Sequence, residues 1–133
     1  MDVVVDTNSL FTFFWKGSLI KKLLIAGHNL YSPKFALDEL RKHKSEIIAK
    51  TKIASRDFEE LINALQELVI FIPFSEYSDK MSKSFLLLKE HPKDVDFLAL
   101  ALKLNASIVS KDKELLKQSI IKIFNESNFS ELF

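Results

Sequence analysis

The sequence predicts an α/β fold: a three-layer α/β/α sandwich on a central, mostly parallel sheet of four or five strands. Two observations predict it. Short β-rich runs alternate with stretches of helical period along the chain, the pattern of a parallel sheet with helices on both faces. The 133 residues, nearly half of them apolar, hold no repeat, linker or low-complexity tract, so residues 1–133 are expected to form one domain with a substantial core.

Val3 to Val5 form the first strand, which ends in Asp6-Thr7-Asn8. "SLFTFFWKGSLIKKLLIAG" reads as one or two helices, punctuated near Gly17 and closed by Gly27 as a C′ glycine. "HNLYS" is the second strand, ending at Ser32-Pro33. A helix begins at Pro33 with Leu37, Leu40, Ile47 and Ile48 on its inner stripe, and another repeats Phe58, Leu61, Ile62, Leu65 and Leu68 at helical spacing. "LVIFIP" is a strand stopped by Pro73, and "SEYSDKMSKSFLLLKEH" a helix ending before Pro92. Asp94 occupies an N-cap position before "VDFLALALKLN", which is apolar almost all round and is expected to be buried. "ASIVS" is a strand, "KDKELLKQ" a short helix and "IIKIFN" the last strand, leaving "NESNFSELF" as a loosely held tail.

The composition removes several function classes. Without cysteine there are no disulfides, thiolate metal sites or cysteine nucleophiles. With only Gly17 and Gly27 there is no glycine-rich phosphate loop, which excludes Walker-type NTPases and the usual dinucleotide fingerprint. A formal charge of +1 makes no case for nucleic-acid binding, although a local patch can serve where the total is balanced. No run approaches the roughly 20 apolar residues of a membrane span. The N-terminus lacks a basic segment with a cleavage site, so a cytoplasmic location without membrane contact is expected.

The acids fall where open α/β sheets place their sites, just past the carboxyl ends of strands. Asp6 follows the first strand, Asp112 follows "ASIVS", and Asp94 opens the buried helix before that strand. Glu39 lies on the helix after the second strand. Each has an ordinary structural role open to it: a turn former, two N-caps and a solvated helix residue. Grouped together, four carboxylates repel one another unless a cation sits among them. Without cysteine or a histidine pair at ligand spacing, an all-oxygen Mg²⁺ or Mn²⁺ site is the metal site best suited to this chain. Such a site serves phosphodiester hydrolysis.

"VVVDTN", "FALDELRKH" and "HPKDVDFLALALKLNASIVSKDKEL" together resemble the PIN-domain family, metal-dependent ribonucleases that include the VapC toxins. The last block is the most specific, and the resemblance spans the chain in length, order and spacing. It implies Asp6, Glu39, Asp94 and Asp112 as the catalytic acids and ligands of Mg²⁺ or Mn²⁺, with Asn8 and Ser110 as supporting polar residues. The implied reaction is hydrolysis of single-stranded RNA to a 5′-phosphate product, with structured RNA the other substrate to consider. Glu39 would orient water or help hold a second ion, and no serine, histidine or cysteine nucleophile is needed. The resemblance also implies a homodimer and, for a VapC-type toxin, an antitoxin peptide in the acidic crevice.

Several neighbours of these acids have two readings. Asp38 and Glu39 point about 100° apart on a helix, and the motif favours Glu39. Asp96 is a fifth site acid, a supporting ligand or an exposed residue of a helix's first turn. Arg41, Lys42, His43 and Lys44 either guide an RNA backbone or form a solvated face. His28 and His91 look structural, and Phe11, Phe13, Phe14 and Trp15 are expected in the core. A haloacid dehalogenase-like phosphatase needs a second aspartate where Asn8 stands, and a receiver domain needs an aspartate after "LVIFIPF". The remaining alternative is a non-catalytic PIN-like module that binds RNA or protein.

Overall fold

A computed structural model describes residues 1–15, 18–89 and 92–133. The readings placed on Gly17 and His91 lie outside the described residues. Five strands, β1 (Asp2–Val5), β2 (Asn29–Pro33), β3 (Val69–Ile72), β4 (Ser107–Val109) and β5 (Ile123–Phe124), form one sheet in the order β3-β2-β1-β4-β5. Every neighbouring pair is parallel, so the expected mostly parallel sheet is wholly parallel.

The order sets the layers. From β1 the chain moves outward to β2 and β3 through α1 (Thr7–Phe11), α2 (Leu19–Ile25), α3 (Lys34–Lys42), α4 (Lys44–Thr51) and α5 (Ser55–Leu68). It then returns through α6 (Phe74–Tyr77), α7 (Met81–Leu87) and α8 (Val95–Leu104) to place β4 on the other side of β1. Right-handed crossovers in opposite directions put these two helix sets on opposite faces. β1 is central in both senses, and Val3, Val4 and Val5 are fully buried.

The α8 segment packs on β1, β2 and β4, with Leu98, Ala99, Leu100 and Ala101 excluded from solvent. Each such leucine contributes about 1.5–3 kcal/mol relative to an exposed one. The opposite face is closed by Phe14 stacked on Phe58, ring centroids 5.3 Å apart, with Leu40, Ile62 and Leu65 buried nearby in the same core. Helix α2 ends in a Schellman turn: His28 N–H donates to Leu23 O at 3.2 Å and Gly27 N–H to Leu24 O at 3.0 Å. Gly27 has φ +90°, a conformation that a Cβ disfavours.

Four expectations need correction. The helix from Pro33 breaks at His43, whose backbone (φ −97°, ψ 20°) separates α3 from α4 and keeps both Leu40 and Ile47 buried. The helix expected after Pro73 is three pieces, α6, a 3₁₀ turn at Ser78–Lys80 and α7, because Tyr77 and Ser84 are both drawn inward onto α8. "KDKELLKQ" is a 3₁₀ turn at Lys113–Lys117 rather than an α-helix.

The tail is held. Leu132 is buried in a 3₁₀ turn at Phe129–Leu132, and its carbonyl accepts from His28 Nε2 at 2.6 Å. Asn128 braces the turn before it, donating to Ile123 O at 3.1 Å and accepting from Asn125 N–H at 2.7 Å. No described helix is long and apolar enough to cross a membrane.

Candidate active site

The sheet order reverses between β1 and β4, so the connections leaving these strands diverge and open a crevice at their carboxyl ends. Asp6 leaves β1 into that crevice and is buried. Its position before α1 lets Oδ1 accept from Ser9 N–H at 2.8 Å, while Oδ2 accepts from Ser110 Oγ–H. Ser110 follows β4, and its Oγ accepts from Asp112 N–H at 3.0 Å. One buried hydroxyl thus ties the ends of the two central strands together. Ser9 and Ser32 extend this polar floor by donating to Val109 O at 3.4 Å and Val5 O at 2.8 Å.

Asp94 enters from the opposite side. It takes the N-cap position of α8 but makes no side-chain cap, so its carboxylate is available to the crevice. Asp112 does cap the following turn, accepting from Glu114 N–H at 3.0 Å. Asp6, Asp94, Asp112 and Glu39 line one cavity of about 360 Å³.

The charges are not balanced from within. Burial raises the Asp6 carboxyl against the lowering effect of its serine bonds, and the Asp112 charge raises it further. Burial pushes the Asp94 carboxyl up to about 7, reinforced by a hydrogen bond with Asp112 and by the charges of Asp112, Asp6 and Glu114. No ion pair among the described residues engages Asp6, Asp94 or Asp112.

Glu39 borders the cavity about half-exposed, Oε2 standing 3.5 Å from His43 Nε2, whereas Asp38 faces solvent. Asn8 lines the cavity from α1 without a hydrogen bond to the acids. The basic run is not gathered at the cavity. His43 lines the cavity, Arg41 and Lys42 are exposed outside it, and Lys44 turns to Glu59 at 2.9 Å and the Phe58 ring at 5.5 Å. Asp96 stands in an adjoining cavity, its Oδ2 accepting from the buried Tyr77 hydroxyl at 2.6 Å. Burial and that carboxylate push the Tyr77 phenol up.

The aromatic expectation needs one more correction. Phe13 and Phe14 are core, but Trp15 is exposed, and Phe11 lines the acidic cavity edge-on to His43 at 6.2 Å. Phe35 and Phe97, with ring centroids 5.4 Å apart, and Lys93 complete that wall and were not singled out in the sequence. Their positions were traceable: Phe35 is one helical turn before Glu39, and Lys93 adjoins Asp94.

The donor set is all oxygen and mutually repulsive, which fits a hard divalent ion. Among the described residues, no three acidic or imidazole side chains are grouped as a finished metal set. Mg²⁺ can be held by one or two carboxylates and its own waters, so the arrangement admits an ion without being fully assembled around it.

The family described as PIN domain matches residues 4–127. Among solved structures, the chain is similar to VapBC2 from Rickettsia felis bound to a DNA fragment from their promoter, at 14% identity and TM-score 0.71, over 94% of this chain and 98% of that one. It is also similar to VapBC-1 from nontypeable Haemophilus influenzae, at 17% identity and TM-score 0.70, over 96% and 100%. FitAcB from Neisseria gonorrhoeae aligns at 15% identity and TM-score 0.67, over 92% and 96%. Comparison with proteins of curated function finds no match.

Proposed function

Since the chain belongs to the PIN domain family, we propose that it is a Mg²⁺- or Mn²⁺-dependent endoribonuclease acting on single-stranded RNA. The observation that carries this reading is the convergence of Asp6, Asp94 and Asp112 in one cavity, with the Asp6 and Asp94 carboxyls raised by burial and by the Asp112 charge. Such a cluster is destabilising by itself and becomes favourable around a cation.

Asp6 with Asp94 or Asp112 would hold the ion, and Glu39 stands at the rim. A bound divalent ion supplies Lewis acidity for activating water and stabilising the leaving oxygen. The chain's own residues do the rest. Ser110 and Ser9 fix both oxygens of Asp6. Lys93 at the cavity wall meets the phosphate as a point charge. Glu39, oriented by His43, accepts a hydrogen bond from the attacking water. The crevice and the similarity to VapBC complexes support a toxin role with an antitoxin chain as partner, and the homodimer implied by the family resemblance completes the proposal.

A second reading, a non-catalytic binding module, draws on the absence of a finished three-ligand group among the described residues. Labelled single-stranded RNA incubated with Mn²⁺, Mg²⁺ or EDTA decides between them. The nuclease reading expects metal-dependent cleavage that is lost in a folded Asp6→Asn variant. Cleavage that survives the substitution, or RNA that stays intact while calorimetry detects no metal binding, refutes it.

A further inference from the structure

The acidic cavity has a neighbour. A second cavity of about 310 Å³ is lined by Phe74, Tyr77, Pro92 and Asp96, and shares Phe35 and Lys93 with the first. Apart from the shared Lys93, the proposed reaction needs nothing from it, yet it contains a built polar feature. Tyr77 is 1% exposed, and its hydroxyl is committed to Asp96 Oδ2 at 2.6 Å. The bond fixes the carboxylate while leaving it acceptor capacity, since an ionised carboxylate has about four lone-pair positions. Beside it Phe74 is 54% exposed, packed edge-on against Tyr77 with centroids 5.4 Å apart. An exposed aromatic ring, an oriented acceptor and a cation shared with the phosphate-facing cavity are the parts of a nucleotide subsite.

We propose that this cavity receives one unpaired base of the RNA strand, guanine in preference to uracil, while Lys93 contacts the phosphate that links it to the acidic cavity. The proposal rests on the ribonuclease reading and deepens it. Phe74 provides a stacking face that any base can use. Asp96 provides the selection: guanine presents two adjacent donors, N1–H and the N2 amino group, to a carboxylate. Uracil presents one N–H between two carbonyl oxygens, which the carboxylate repels. The continuity of the walls at Phe35 and Lys93 favours the same strand as occupant over an independent ligand.

The test uses the full chain carrying Asp6→Asn, so that Mg²⁺ can be present without cleavage, and fluorescent U-hexamers with or without a single guanine. The guanine probe is expected to bind about tenfold more tightly. Phe74→Ala weakens both probes about tenfold or more, within the range of one lost base stack. Asp96→Asn brings the two probes to similar affinity, a change of ratio that general loss of structure would not produce. Equal binding of the two probes by the parent overturns the subsite. So does retention of both affinity and preference by the two variants, even when the chain with Asp6 intact cleaves RNA; the nuclease reading then stands alone. If the intact chain neither binds nor cleaves RNA, both readings fall.

Discussion

Replacing Asp94 with asparagine is expected to stabilise the metal-free protein at neutral pH. Asp94 has a folded-state pKa of about 7 against an ordinary 3.8. Between those values the folded chain keeps a proton that the unfolded chain has released. Stability therefore falls as pH rises through that window, and the loss is complete above the folded pKa. Each tenfold change in acidity is worth about 1.4 kcal/mol, which sets a ceiling of about 4 kcal/mol. Asp94 borders an open cavity, and solvent screening reduces this to about 2 kcal/mol. Urea unfolding in EDTA should thus give Asp94→Asn an advantage of about 2 kcal/mol at pH 8, shrinking towards pH 4, with m unchanged. Saturating Mn²⁺ should raise the parent more than the variant, because binding to the folded state adds RT ln(1 + [L]/Kd). Parallel pH curves, or a variant less stable than the parent at pH 8 in EDTA, would refute the electrostatic reasoning.

Other outcomes follow from the same geometry. Ser110→Ala removes the donor to Asp6 and the acceptor for Asp112 N–H; we expect about 2 kcal/mol of lost stability in the same urea assay and weaker Mn²⁺ binding by calorimetry. Gly27→Ala meets no atom within 4 Å but keeps φ +90°, so it should cost only about 1 kcal/mol, read from thermal unfolding. Removing residues 129–133 takes away buried Leu132 and the carbonyl partner of His28. That should lower stability by about 2–4 kcal/mol, against almost nothing for a loose tail.

Much of the architecture was legible because burial by helices on both sides leaves a direct mark on sequence. Val3 to Val5 and Ile108-Val109 are apolar without alternation, and both lie in the sheet centre. The placement of Asp6, Asp94 and Asp112 around one cavity followed from strand ends and the helix between them. What was hidden depends on contacts between distant residues. The break at His43 carries no glycine or proline; it arises where the imidazole meets Phe11 and Glu39. Asp96 has no sequence mark separating it from the acidic cavity, because its partner Tyr77 is supplied by another helix. The tail reads as polar, yet one buried leucine and an asparagine-braced turn hold it. Phe11 shares its spacing with core residues, and only the position of α1 beside α3 exposes its edge to the cavity.

The imidazole of His28 receives the Met1 ammonium at Nδ1, 3.2 Å away, and reaches the Leu132 carbonyl through Nε2. Both described ends of the chain therefore lie at the amino-terminal margin of the sheet, where Asn29 N–H also meets Met1 O at 3.0 Å, and the acids lie at the other margin. A short peptide joining residues 1 and 133 would lie away from the acidic crevice. The chain could then be reopened between α4 and α5, beside the left-handed Lys52. Such a circular permutant would carry its new ends, and any fused tether, on a helical flank and keep every strand in its present neighbourhood. The order in which the strands are made is thus separable from the order in which they pair.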